Sequence, residues 1–450
     1  MKHGKKHGQR SFSRGFWQTG CTEIFECISY YMGKSLILIF TTASVAQGGL
    51  GLTAAQGAAL QSLFIAFAFF GPLVGGAITD RWLGARYATP IGMVLVGIGY
   101  WCGSMARSVT LVYVMIFFVC AGRSLFQVSA MLGRIVVDKD RMDAAYSIRY
   151  TLMNVGGFLG TFSLGILYKD VFAVNGVFGF SACFRVAACA MFLGTIWFIS
   201  GWRKIGEVGK RPFKTEKTAE EKKWEKEKLP VTAIEKKRIG AIFLVSGFSV
   251  IFWMLWDLAY LPAYYYWTKY MDWTIAGYEI PVSWFDSSNS LFCVILGPVM
   301  AGVWLRLSRR PEGDMSLFRK TGIALFLLGL AYLYYAVLDI VRGNGKPSAV
   351  WLIFFTFTLT LGEMFFAPLG HAFISKYAPS RYLSTMMAVW GLAIFLASLC
   401  YGKVYGRLFE SGLPFTKVCV GITVTAVAAG LILFMLDKRL SGLVKNIIII

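Results

Sequence analysis

Apolar residues gather along this chain into twelve stretches of about 19 to 29 residues, at roughly 16–40, 55–78, 88–106, 109–133, 143–168, 178–201, 239–267, 281–307, 318–341, 347–375, 382–404 and 411–436. A helix needs about 20 apolar residues to cross a bilayer. The pattern therefore predicts an all-α membrane protein of twelve transmembrane helices. Between the sixth and seventh stretches the pattern breaks: residues 203–238 hold thirteen Lys or Arg with seven interspersed Glu. That segment reads as a solvated tether between two six-helix halves. The expected organisation is an N-terminal tail (1–15), a first half (16–201), a basic linker (202–238), a second half (239–436) and a C-terminal tail (437–450).

Composition agrees, with 56% hydrophobic and only 15% charged residues. Soluble domains carry about 25% charge. The net charge of +21 invites a nucleic-acid reading, but its distribution excludes one. Assigning the loops alternately to two sides places about 33 Lys and Arg on the side that holds both termini and about 8 on the other. That bias predicts cytoplasmic termini, a multi-pass protein of the plasma or inner membrane, and contact with anionic lipid. The nine cysteines fall in the spans, without a CxxC pair or a Cys/His cluster. No metal, cofactor or disulfide framework is expected. Nor does the chain contain a catalytic elbow or phosphate loop placed for a membrane enzyme.

The first span carries the most telling polar residues. Glu23 and Glu26 lie three apart in apolar surroundings, and at helical spacing they share a face with Cys27, Tyr30 and Lys34. A carboxylate at mid-bilayer costs roughly 2.5–3.5 kcal/mol on the more lenient scale, so this face must look into a bundle interior or a wet cavity. Buried acids that take up and release protons are parts of proton-coupled carriers. Arg149 and Arg185, near span ends, are expected to snorkel. The aromatic run Tyr260, Tyr264, Tyr265, Tyr266 and Trp267 is expected to form an interfacial belt.

The loop after the second span, Gly75-Gly76-Ala77-Ile78-Thr79-Asp80-Arg81-Trp82-Leu83-Gly84-Ala85-Arg86, resembles the signature loop of major facilitator transporters. Together with the 6+6 layout, this implies the major facilitator fold, with a binding cavity at midplane between the halves. It also implies a conformational gate at Asp80, Arg81 and Arg86. A narrower resemblance follows. Glu23-Ile-Phe-Glu26-Cys27-Ile-Ser-Tyr30-Tyr31 is similar to the first-helix motif of proton-dependent oligopeptide transporters. Asp143 to Asn154-Val-Gly156, Pro281 to Asn289, Leu361-Gly362-Glu363 and Met386-Met387 with Trp390 follow that family in register.

The resemblance implies a secondary active transporter that works by alternating access, a proton-coupled symporter of di- and tripeptides or peptide-like amines. It implies proton coupling at Glu23, Glu26 and Asp257, and substrate binding by Tyr30, Lys34, Asn154, Asn289, Glu363 and Trp390. Protons, a small peptide or amine, and membrane lipid are the expected partners of a monomer. Two alternatives remain open: a carrier of a non-peptide small molecule without a free carboxylate, and a transporter-derived receptor or scaffold.

Two departures bear on the cargo. The family's first-helix Arg is Cys27 here, and its fourth-helix Lys falls on Leu125. Arg123, about 200° round a continuous helix from Leu125, is not expected to replace that Lys, so Lys34 is the preferred remaining cation. With Asp286 added, Glu23, Glu26, Asp257, Asp286 and Glu363 face few cations. The expected cavity leans acidic, favours an amine and demands little of a carboxylate.

Overall fold

The computed structural model describes residues 12–136, 142–211, 232–308, 310, 315–378 and 383–445. All twelve expected spans are helical. Span one is Arg14–Thr42. Span two is Ala54–Ile78, carried on by a wider π-type turn, Thr79–Leu83. Span three is Ala85–Ser104. Span four is broken into Val109–Ser124 and Val128–Ile135. Span five is Met142–Ile166 with a π-type turn at Leu167–Val171. Span six is Phe180–Ser200.

In the second half, span seven is Ala233–Pro262 with a π-type turn at Ala263–Trp267. Spans eight to twelve are Ser283–Ser308, Leu317–Arg342, Leu352–Tyr377, Leu383–Phe409 and Phe415–Lys445. Among the described residues, eleven helices are long and apolar enough to cross a membrane. Span three, with Gly92, Gly97, Gly99 and Gly103 along its 20 residues, is not among them and packs on spans four and six. The basic linker between 212 and 231 lies outside the described residues.

Local chemistry sets where helices start. Thr53 and Thr232 open spans two and seven with reciprocal capping boxes to Gln56 and Glu235. Ser13 and Ser316 cap spans one and nine.

Packing repeats between the halves. Span one packs on span five as span seven packs on span eleven. Span three packs on four and six as span nine packs on ten and twelve. The halves meet along two seams, span two against eleven and span five against eight. These are equivalent places in a two-fold arrangement. We call the end that carries the loops around 43–53, 172–179, 271–282 and 410–414 the upper end.

Close helix approach depends on missing side chains. A Cβ on Gly156 would stand 2.6 Å from the Ile24 carbonyl oxygen, and one on Gly160 would stand 2.5 Å from that of Ile28. This small-xxx-small stripe lets span five lie against the backbone of span one. Because the obstacle is backbone, Gly160→Ala must push the two helices apart, at about 1–3 kcal/mol. Thermal unfolding in detergent should show a clearly lowered midpoint for Gly160→Ala. Gly421→Ala, with nothing within 4 Å of the new Cβ, should not lower it, since alanine is the better helix former. Equal midpoints for the two variants would contradict the packing account.

Candidate functional site

The stripe that joins spans one and five also brings the first-span acids under cover. Glu23 and Glu26 are 1% and 4% exposed. The Nε of Arg149 donates to Glu23 at 2.7 Å, and the Arg123 guanidinium makes an ion pair with Glu26. Arg123 also lies 3.8 Å from the centroid of the Tyr30 ring, which stacks on Phe64. The Cys27 thiol is 3.6 Å from Glu26 Oε2. Donor atoms of Glu23, Glu26 and Cys27 lie within 4.8 Å of one another. Each carboxylate faces a guanidinium, so the cluster is built as two ion pairs rather than as a cation cage.

Two expectations are corrected here. Arg149 does not snorkel; it turns inward to Glu23. The second concerns the helix that carries Arg123, which pairs with Glu26: span four is not one continuous helix. Its regular turns end at Ser124, Leu125 packs toward Gly92 of span three, and the helix restarts at Val128. Counting 100° per residue from Leu125 holds only along an unbroken helix. Arg185 is exposed, and its guanidinium donates to the Ser181 hydroxyl at 3.5 Å.

Across the midline the second half presents a separate carboxylate. Glu363 on span ten accepts from Asn289 Nδ2 at 2.9 Å and from the Tyr150 hydroxyl at 3.4 Å, with the Cys293 thiol 3.8 Å away. Asn289 also donates to Thr360. Asn154 donates to the Tyr150 carbonyl and so fixes the backbone that carries that hydroxyl. Thus Tyr150, Asn289 and Glu363 converge, with Asn154 one turn along span five from Tyr150. Lys34 stands apart from them, its Nζ over the rings of Trp256 and Tyr260 at 5.4 and 5.3 Å from the centroids. Asp257 is 8% exposed and accepts from Ser398 at 3.2 Å. Trp390 is buried, with its ring against Gly370 and Phe366.

Of the signature loop, Arg86 is buried and donates to the carbonyls of Trp202 and Gly206, so it holds the root of the linker. Arg81 is exposed. The side chain of Asp80 lies outside the described residues, as do those of Asp143 and His371.

The aromatic run is not an interfacial belt. Tyr260, Tyr264 and Trp267 are buried, and the Tyr266 hydroxyl donates to Asp339 at 2.5 Å. The π-type turn at Ala263–Trp267 rotates successive rings inward toward several helices, a feature that a regular 3.6-residue period hides. Tyr264 donates to Asp286 Oδ2 at 2.5 Å, and Ser35 of span one donates to the same oxygen at 2.5 Å. Asp286 therefore ties the halves together near the upper end.

Other ties lie nearby. Tyr401 donates to Gln61 at 2.5 Å and Ser62 to the Ser398 carbonyl at 2.6 Å. Trp284 stacks on Phe162 with centroids 4.5 Å apart. A hairpin that sequence reasoning missed, Thr274–Ile275 paired with Tyr278–Glu279, adds an ion pair from Lys169 to Glu279 at 2.7 Å. It also places the Tyr278 hydroxyl 2.7 Å from Asp170. Ala276-Gly277, both at positive φ, is the available signal for it.

The family profile described as Major Facilitator Superfamily matches residues 27–401. Among curated proteins, the chain is 25% identical to Peptide transporter YePEPT of Yersinia enterocolitica subsp. palearctica, with 93% of each chain covered. It is 24% identical to a di-/tripeptide transporter of Lactococcus lactis subsp. cremoris, over 84% of this chain and 86% of that one. Among solved structures, a mutant of a peptide transporter POT in complex with alafosfalin superposes with a TM-score of 0.84, at 25% identity and 97% coverage of both chains. A POT family transporter in complex with 5-aminolevulinic acid gives 0.85 at 23% identity, covering 96% and 98%, which is a likeness of fold.

If Asp286 closes the upper end, its loss should loosen that end. Spin labels at Val45 and Leu413, both exposed near the upper end, can be placed in a background without the exposed Cys189 and Cys400. Asp286→Ala should add a longer-distance population to the pair, while Asp286→Asn, which still accepts from both hydroxyls, should add less. Identical distributions in wild type and Asp286→Ala would refute the tie.

Proposed function

This chain belongs to the Major Facilitator Superfamily, and on that premise we propose that it is a proton-coupled symporter of di- and tripeptides. The observation that carries the reading is the pairing of Glu26 with Arg123 over Tyr30, set across the midline from Glu363 and Asn289. One carboxylate already has a cation to release when it is protonated. The other, with amide and hydroxyl donors around it, is placed to receive an ammonium group. The named peptide transporters among the relatives support the cargo.

Each residue has a role in this reading. A proton that reaches Glu26 neutralises it and frees the Arg123 guanidinium from its partner. Glu23 with Arg149 does the same one turn earlier, and Asp257 serves the second half. Glu363 holds the peptide's amino group, with Asn289, Asn154 and Tyr150 setting its orientation. Lys34 supplies positive charge for the other end of the peptide, and Tyr30 and Trp390 wall the site. Asp80, Arg81 and Arg86 act at the lower gate.

The halves are taken as 16–201 and 239–436, joined by the linker, with both termini in the cytoplasm of a plasma or inner membrane. The upper end is then the outer face, and its closure through Asp286 leaves the site to open inward. The carrier works as a monomer. The expected balance of many acids against few cations shifts, because Arg123 and Arg149 join Lys34.

Uptake of a labelled dipeptide into proteoliposomes under an imposed pH gradient tests the reading. Wild type should accumulate peptide, and Glu26→Gln should lose gradient-driven accumulation while it retains peptide exchange at equal pH. Glu363→Gln should weaken peptide binding by about one to two orders of magnitude, since hydrogen bonds to charged groups run roughly 1.5–3 kcal/mol. If Glu26→Gln keeps wild-type accumulation, Glu26 has no part in coupling.

A further inference from the structure

Three aromatic donors line one face of span seven. Trp253, Trp256 and Tyr260 follow at spacings of three and four, with ring centroids 5.6 and 4.8 Å apart. Trp256 and Tyr260 are 8% and 4% exposed. The Nε1 atoms of Trp253 and Trp256 and the Tyr260 hydroxyl are buried without a hydrogen-bond partner among the described residues. Buried donors in native proteins are nearly always paired, so each unpaired one calls for an explanation. Three along one helix face, two of them beneath the same lysine, call for a common one.

The chemistry of the donors limits what they serve. An indole N–H only donates, and an ammonium only donates. Neither can receive the amino end of a substrate. The wall made by Trp256 Nε1, Tyr260 Oη and the Lys34 Nζ that lies over both rings asks for an acceptor with negative charge and several lone pairs. A carboxylate fits, because it accepts at both oxygens and carries charge opposite to that of Lys34, whose Nζ lies over both rings. The Tyr260 ring lies 5.4 Å from that of Phe285, one turn before the Asn289 that donates to Glu363, which brings the donor wall toward the amine-binding carboxylate.

We propose that Trp256 and Tyr260, with Lys34, form the subsite that receives the carboxylate of the peptide. This inference rests on the peptide-symport reading and adds residues to it. It also replaces the sequence expectation that a carboxylate would be weakly held. In place of the fixed cations at Cys27 and Leu125, this chain uses neutral donors on span seven and one lysine.

The test uses the full-length protein in detergent. Trp256→Phe and Tyr260→Phe each remove one donor and keep a ring for packing. Competition binding then compares a dipeptide with its C-terminal amide. Wild type should prefer the free acid by tenfold or more. Each variant should weaken the acid by about three- to tenfold and leave the amide within about twofold. The ligand-free thermal midpoint of Tyr260→Phe should not fall, since its hydroxyl has no protein partner among the described residues. If acid and amide weaken equally, or the acid is unaffected, the subsite is refuted while the symport reading stands. If wild type binds neither compound, both fall together.

Discussion

A carboxylate inside a bilayer-spanning helix is tolerable only where opposite charge or water meets it, and span one carries two. The rest of the arrangement follows from that constraint. Arg149 must come from span five and Arg123 from span four, which requires those helices to lie close to span one. The glycine stripe at Gly156 and Gly160 makes the approach possible. Deleting one partner of a buried pair costs about 3–5 kcal/mol because a bare charge remains. The same penalty makes the pairs suitable for coupling: a proton on the acid removes the reason for the guanidinium to stay, and the local packing must respond.

The second constraint is that a carrier must close one end at a time. Ties between the halves gather around Asp286, Gln61 with Tyr401, and the Trp284–Phe162 stack. The neutral hydroxyl and amide contacts are worth about 1 kcal/mol net each, and the two hydroxyl bonds to the Asp286 carboxylate roughly 1.5–3 kcal/mol. Such contacts can be broken and remade, whereas a large apolar interface or several buried ion pairs would lock the end. The charged hairpin pair Lys169–Glu279 sits at the rim, where solvent screens it.

Much of this was legible in the sequence. Apolar runs of sufficient length gave twelve helices because the bilayer leaves the backbone no other way to satisfy its hydrogen bonds. The polar face of span one gave Glu23, Glu26 and Tyr30, since those residues could not face lipid. The partners of those acids were not legible. Arg123 was hidden by the break after Ser124, which defeats angular counting. Arg149 was hidden because its place near a span end is equally suited to snorkelling. The inward turn of Tyr264 arises from a π-type turn that helical periodicity does not show. Asp286 was visible as an added acid, but its hydroxyl partners lie 251 and 22 residues away in sequence, and only folding joins them.

The central claim is that the Glu26–Arg123 pair is a coupled unit, and a double-mutant cycle measures it directly. Glu26→Gln, Arg123→Gln and the combined variant would be unfolded chemically in mixed micelles beside the wild type, and transport would be read in parallel. A coupled buried pair predicts that the double variant is more stable than the sum of the single losses allows, by about 1.5 kcal/mol or more. Strict additivity would mean that the two side chains act independently, and the account of the site would be wrong.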